Sequence, residues 1–161
     1  MRKSLNIKAF VAFAALSVVI TFTACGDGEI SGAEELLTKA TEYLDKGQFK
    51  ETLETIDSLR SKFPRAIEQR KKALKLYQEA ALRQAQEQLA TTDSLLEAVK
   101  AEYEEKKAAV DLKREQLKAT EKELLDVNML RQKVDSLQTS FDTLCETIKY
   151  IHKKQKESDD D

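Results

Sequence analysis

The sequence predicts an elongated, all-α protein, on the basis of its composition, its helix breakers and the spacing of its apolar residues. Ala, Leu, Glu, Lys and Arg make up about half of the 161 residues, which is typical of long helices and coiled coils. The sole proline is Pro64, the last of four glycines is Gly47, and apolar residues recur every three or four positions. The 27 basic and 29 acidic residues nearly balance, which argues against a nucleic-acid-binding protein.

The first 24 residues have the layout of a secretory signal. Three basic residues within the first eight positions precede an uncharged run over residues 9–24. That run is shorter than the roughly 20 apolar residues of a membrane-spanning helix. We therefore expect residues 1–24 to be cleaved. Their loss removes three positive charges and changes the formal net charge from −2 to −5.

The signal ends in Thr23-Ala24-Cys25-Gly26, which resembles the lipobox of bacterial lipoproteins, although Phe22 replaces the usual aliphatic residue. The resemblance implies cleavage before Cys25, diacylglycerol on its thiol and an acyl chain on its new amino group. Each buried CH₂ contributes about 0.8 kcal/mol, so these chains would anchor the protein in a membrane. The alternative is an ordinary secretory signal followed by a chance cysteine.

Residues 25–32 are predicted to form a flexible tether, because Gly26-Asp27-Gly28-Glu29 is rich in glycine and acidic residues. This stretch loosely resembles the acidic export tags of Bacteroides-type surface lipoproteins. The two resemblances imply a place in the cell envelope. The outer membrane, with the protein facing the periplasm, is the expected location, and display on the cell surface is the alternative.

Residues 33–64 are predicted to form a helical hairpin. Apolar spacing marks one helix up to Gly47 and a second that stops before Pro64, because the residue before a proline avoids the helical region. The segment resembles a single tetratricopeptide repeat, whose large, small, aromatic and terminal proline positions are matched by Leu36, Ala40, Tyr43, Ile56 and Pro64.

The tetratricopeptide resemblance implies protein binding, although Thr52 and Leu59 stand where that family prefers alanine. Its candidate partner-binding residues here are Leu36, Tyr43, Phe49 and Ile56. A plain two-helix cap is the alternative. One repeat cannot bury both of its faces, so we expect the next helix, a partner chain or both to cover it.

Residues 65–125 are predicted to form one long helix. Leu82, Leu89, Leu96, Tyr103, Val110, Leu117 and Leu124 recur every seven residues, which is a heptad pattern. The companion positions are mixed, since Thr92, Lys106, Lys113 and Thr120 are polar.

A second heptad pattern follows, out of phase with the first, and predicts a coiled-coil helix over residues 126–156. We expect a chain break capped by Asp126 or Asn128, with the last helix folding back antiparallel on the long one. A continuous rod that forms a homodimer is the alternative. The candidate partner-binding residues on this seam are Val134, Leu137, Phe141, Leu144 and Ile148.

Little in the sequence points to chemistry. The only histidine, His152, lies among lysines, and no phosphate loop, nucleophile elbow or zinc-protease motif is present. Cys145 is interpreted as an apolar filler or as an intermolecular disulfide. We expect no catalytic residue, no metal site and no cofactor beyond the acyl chains on Cys25. Residues 157–161 are expected to be an acidic, disordered tail.

Together these features suggest a lipid-anchored, non-catalytic adaptor or scaffold in a bacterial envelope. Its expected partners are the membrane, through the anchor, and an unidentified envelope protein, with no nucleic acid. The alternative function is a periplasmic holdase chaperone for outer-membrane proteins.

Overall fold

The computed structural model describes residues 25–159, with side chains for residues 28–158, and this part of the chain consists of four α-helices. They are α1 (Cys25–Asp45), α2 (Phe49–Lys62), α3 (Ile67–Glu115) and α4 (Glu121–Asp159). This confirms the predicted all-α, elongated class. The predicted signal peptide, residues 1–24, lies outside the described residues.

Helices α1 and α2 form the expected hairpin around Gly47. Gly47 has a φ of +71°, in the left-handed region that glycine enters at little cost. Its N–H donates to the Leu44 carbonyl (3.0 Å), and the Gln48 N–H donates to the Tyr43 carbonyl (2.9 Å). This bond pair is the Schellman motif, which satisfies the last carbonyls of α1 and turns the chain into α2.

The start of α3 covers the hairpin. Ile56 and Leu59 of α2 are fully buried together with small residues from α1 and α3, among them Ala33, Ala40 and Ala73. Small residues let the three helices approach closely, so the core has few large side chains. The hairpin was expected to be covered by the next helix, by a partner chain or by both. In the structure, the next helix of the same chain covers it.

The corner between α2 and α3 is fixed against the start of α1. The backbone N–H of Arg65 donates to Glu29 Oε1 (3.0 Å), and a Cβ placed on Gly32 would lie 2.6 Å from Phe63 Cζ. These contacts help to hold the segment predicted as a flexible tether, residues 25–32, in helix α1.

Helices α3 and α4 form a long antiparallel pair, which we call the arm. At its base, Gln78 Nε2 donates to the Lys154 carbonyl (3.3 Å) and Ser158 Oγ lies 3.3 Å from Gln78 Oε1. Midway along, Lys100 Nζ donates to Gln138 Oε1 (2.9 Å). The last helix thus folds back, as preferred from the sequence, and α4 extends to Asp159 into the segment predicted as a disordered tail.

The break between the two arm helices falls at residues 116–120, not at the predicted boundary between residues 125 and 126. The N–H groups of Leu117 and Lys118 donate to the carbonyls of Arg114 (2.9 Å) and Lys113 (2.8 Å). This repeats the Schellman pattern, with a leucine at φ +55° in place of glycine.

The cap of α4 also differs from the prediction. Thr120 Oγ1 accepts from the Glu123 N–H (3.3 Å), and Glu123 Oε2 accepts from the Thr120 N–H (3.0 Å). This is a capping box, which starts the helix at Glu121. The predicted caps, Asp126 and Asn128, lie inside α4.

Candidate functional site

The partner-binding residues predicted on the hairpin contribute mainly to its own packing. Ile56 is 0% exposed and lies in the hairpin core, which corrects its assignment as a contact for a partner. Leu36 packs against the same core. Tyr43 and Phe49 are half-buried, and the Lys39 ammonium lies 5.7 Å from the centre of the Tyr43 ring.

The predicted seam residues of α4 are used within the chain. All five are half-buried, and among the described helices α4 packs on α3 alone. On α3, the seam positions Ala85, Leu96, Val99 and Val110 are buried. The seam therefore joins the two helices of one arm. Val134, Leu137, Phe141, Leu144 and Ile148 are the five α4 residues concerned.

The far end of the arm carries the densest group of exposed large apolar side chains. We call this group the arm tip, and Leu117 at its turn is 95% exposed. Four neighbours on α3 and α4 are between 42% and 62% exposed. Exposed apolar side chains gathered at one end of a molecule make that end a candidate interaction surface. The other four members of the arm tip are Leu112, Leu124, Leu125 and Met129.

The turn that presents the arm tip is held by polar contacts. Lys113 Nζ forms an ion pair with Glu123 Oε1, and Glu123 Oε2 accepts from both the N–H and the hydroxyl of Thr120 (3.0 and 2.9 Å). The hydrogen bond from Lys113, followed by those from Thr120, lowers the pKa of Glu123 from 4.5 to about 2. Leu117 therefore lies on a turn whose geometry is fixed by hydrogen bonds and an ion pair.

An ion pair within α3 lies below the arm tip. Lys106 Nζ lies 2.9 Å from Glu102 Oε1, and this hydrogen bond lowers the pKa of Glu102 while raising the pKa of Lys106. Lys106 is one of the polar residues at the companion positions of the first heptad pattern. Its ion pair with Glu102 is half-exposed, at the edge of the seam.

The remaining candidate chemistry is sparse in the described part of the chain. Cys145 is a half-buried free thiol, and His152 is exposed with its Nδ1 3.2 Å from Gln155 Oε1. Between residues 28 and 158, no group of three or more His, Cys, Asp or Glu side chains could hold a metal ion. The side chain of Cys25, the predicted lipidation site, lies outside the described side chains.

No family model, curated protein or solved structure matches the chain. None of the described helices has an apolar stretch long enough to cross a membrane. The described part of the chain has a three-helix base, formed by the hairpin and the start of α3. A two-helix arm extends from this base and ends in the apolar arm tip.

The arm tip was missed as a site by the sequence reasoning. Leu117 and Leu124 were assigned to the heptad seam, because the pattern was continued past the true end of α3. The signal that could have revealed the turn is Thr120-Glu121-Lys122-Glu123, a capping-box sequence that begins ten residues after the last buried seam residue, Val110.

Proposed function

We propose that this protein is a lipid-anchored bacterial envelope protein that acts as a non-catalytic helical adaptor, binding a partner protein at its arm tip. The observation that carries this proposal is the 95% exposure of Leu117 within a cluster of exposed apolar residues. Burying one such side chain fully contributes about 1.5–3 kcal/mol. Several of them could therefore supply the centre of a protein–protein interface.

The shape of the chain supports an adaptor. Cys25 is the first described residue of α1, and the contact between Glu29 and Arg65 lies beside the start of α3. Helix α3 has 49 residues, or about 73 Å at 1.5 Å per residue, and the arm tip lies at its other end. A lipid on Cys25 would therefore hold the base at the membrane while the tip reaches a partner several nanometres away.

The anchor is tested by expressing the full chain in a Gram-negative host and measuring the mass of the amino-terminal peptide. We expect a chain that begins at Cys25 with a diacylglycerol and a further acyl chain, found in the membrane fraction. The Cys25→Ala variant should not be acylated and should be absent from the membrane fraction. An unmodified Cys25 in a released, processed chain would contradict the anchor.

The adaptor is tested by affinity purification with the arm tip altered. The variant Leu117→Gln/Leu125→Gln/Met129→Gln should lose a partner that the unaltered chain retains, at unchanged helicity. Leu95 is 44% exposed and Tyr150 is 60% exposed away from the tip, so Leu95→Gln/Tyr150→Gln is the control for the loss of exposed apolar side chains elsewhere. Equal losses from both variants would contradict a specific tip site.

The same proteins separate the adaptor from the holdase chaperone. An adaptor should leave the aggregation of an unrelated unfolding protein unchanged. Suppression of that aggregation by the unaltered chain, lost in the tip variant, would assign the arm tip to chaperone activity and overturn the adaptor proposal.

A further inference from the structure

A strongly basic surface lies at the opposite end of the molecule from the arm tip. Residues 60–75 contain seven basic side chains and one acidic side chain, Glu68. We call this segment the basic corner. It contrasts with the rest of the chain after residue 24, which is acidic. The seven basic residues are Arg60, Lys62, Arg65, Arg70, Lys71, Lys72 and Lys75.

Three of the seven basic side chains lie together. Arg60, Arg70 and Lys71 line one shallow depression with the apolar side chains of Ile67 and Leu74. Two of these cations are held in place: Arg70 Nη1 donates to the Pro64 carbonyl (2.9 Å), and the Arg60 guanidinium lies 4.7 Å from the centre of the Tyr77 ring and 3.6 Å from Asp57 Oδ1. The surface therefore combines ordered cations with apolar contact area.

Three cations of the corner have no acidic partner among the described side chains. Among the described side chains, Arg65, Lys71 and Lys72 are exposed and form no ion pair, whereas many arm cations, such as Arg83 with Glu79, are paired. Unpaired cations that gather at one place attract an anionic surface more strongly than paired ones.

The basic corner lies next to the predicted anchor. The Arg65 N–H donates to Glu29 Oε1 (3.0 Å), and Glu29 is four residues from Cys25, about 6 Å along the helix. Two isoleucines of this region are exposed, Ile30 at 45% and Ile67 at 55%. Cations flanking exposed apolar side chains are the pattern of a surface that lies in the headgroup region of a membrane.

We propose that the basic corner binds the anionic phospholipid headgroups of the membrane that holds Cys25, with Ile67 entering the interface. This inference rests on the lipid anchor of the proposed function and adds an orienting contact to it. An acyl anchor alone lets the protein rotate relative to the membrane. A second contact at the start of α3 fixes the orientation of the arm relative to the membrane.

The test uses the absence of tryptophan from the sequence. The full chain with Ile67→Trp is purified in the form the cell makes and placed in phosphatidylcholine vesicles with brominated acyl chains, with or without about one third phosphatidylglycerol. Bromine quenches tryptophan only at close range. We expect stronger quenching in the phosphatidylglycerol vesicles. A probe at the other end, Leu117→Trp, should show no such dependence.

Charge removal provides the matched comparison. Arg65→Gln/Lys71→Gln/Lys72→Gln should lower the equilibrium constant between the membrane-docked and undocked orientations roughly 100-fold, at about 1 kcal/mol per cation. The same number of charges removed at the far end, at positions 107, 118 and 122, should leave the quenching unchanged.

The outcomes of the quenching test separate this inference from the anchor. Acylated Cys25 with quenching independent of phosphatidylglycerol, or with equal effects of the two charge variants, would overturn the inference and leave the anchor standing. Unmodified Cys25 with quenching that still requires phosphatidylglycerol and the corner cations would support the lipid-binding surface while the anchor fails.

Discussion

The close approach of α1 to the corner can be tested at Gly32. A Cβ on this residue would lie 2.6 Å from Phe63 Cζ and 2.9 Å from Phe63 Cε1, distances at which an atom must move. Overfilling a packed site costs about 1–3 kcal/mol, whereas alanine is favoured over glycine within a helix by about 0.5–1 kcal/mol. We therefore expect Gly32→Ala to lower the free energy of unfolding by on the order of 1 kcal/mol.

Gly28 supplies the control within the same helix. A Cβ at Gly28 would meet nothing within 4 Å, so Gly28→Ala should be neutral or stabilising. The assay is urea unfolding followed by circular dichroism on the chain from residue 25, with Cys25 replaced by serine. The urea concentration at the midpoint of unfolding should fall for Gly32→Ala and stay the same or rise for Gly28→Ala.

A second variant tests the cause. With Phe63→Leu, the ring that crowds position 32 is gone, so adding Gly32→Ala should no longer destabilise the protein. If Gly32→Ala is as stable as Gly28→Ala, or if its cost persists without the Phe63 ring, the proposed close approach is refuted.

Three further predictions concern the core and the arm tip. Ile56→Ala should cost about 2–5 kcal/mol in urea unfolding because Ile56 is fully buried, whereas the exposed Leu117→Gln should stay within about 0.5 kcal/mol; equal costs would contradict the assigned core. Thr120→Ala should cost about 1 kcal/mol and speed amide hydrogen exchange in the first turn of α4, and unchanged exchange there would exclude the capping box. Because the pKa of Glu123 is lowered from 4.5 to about 2, its contribution is complete above pH 4.5 and is lost as the pH falls toward 2, so amide exchange at the tip should rise over that range. A Glu123→Gln variant that keeps the same pH dependence would show that another group is responsible.

The helical class, the hairpin and the folded-back last helix could be predicted from the sequence because each depends on local rules. Gly47 and Pro64 interrupt the chain where the structure turns, and the seven-residue spacing of Val134, Phe141 and Ile148 places them on one face. Two heptad patterns that are out of phase within one chain require a break between them. When the last helix folds back antiparallel on the long one, the two seams bury each other.

The position of the break between α3 and α4 was harder to predict. The left-handed residue that ends a helix is usually a glycine, which is visible in the sequence, but here it is a leucine. Leu117 fits the heptad spacing, so the pattern continues through a residue that in fact ends the pairing. The burial of Ile56 could not be read from its spacing either, since a hairpin face covered by a partner and one covered by α3 have the same sequence pattern. Likewise, the order of residues 25–32 depends on contacts with Phe63 and Arg65, which lie more than 30 positions away.

The central claim is that the arm tip, and not the seam, meets a partner protein. The most direct measurement is in-cell photo-crosslinking of the full chain with a photo-reactive residue at Leu117, compared with the same residue at exposed Tyr150 and at half-buried Phe141. We expect one reproducible envelope-protein adduct at Leu117 that disappears when Leu125 and Met129 are changed to glutamine. A defined adduct at Phe141 or Tyr150 with none at Leu117, or a broad spread of unfolded proteins at all three positions, would contradict it.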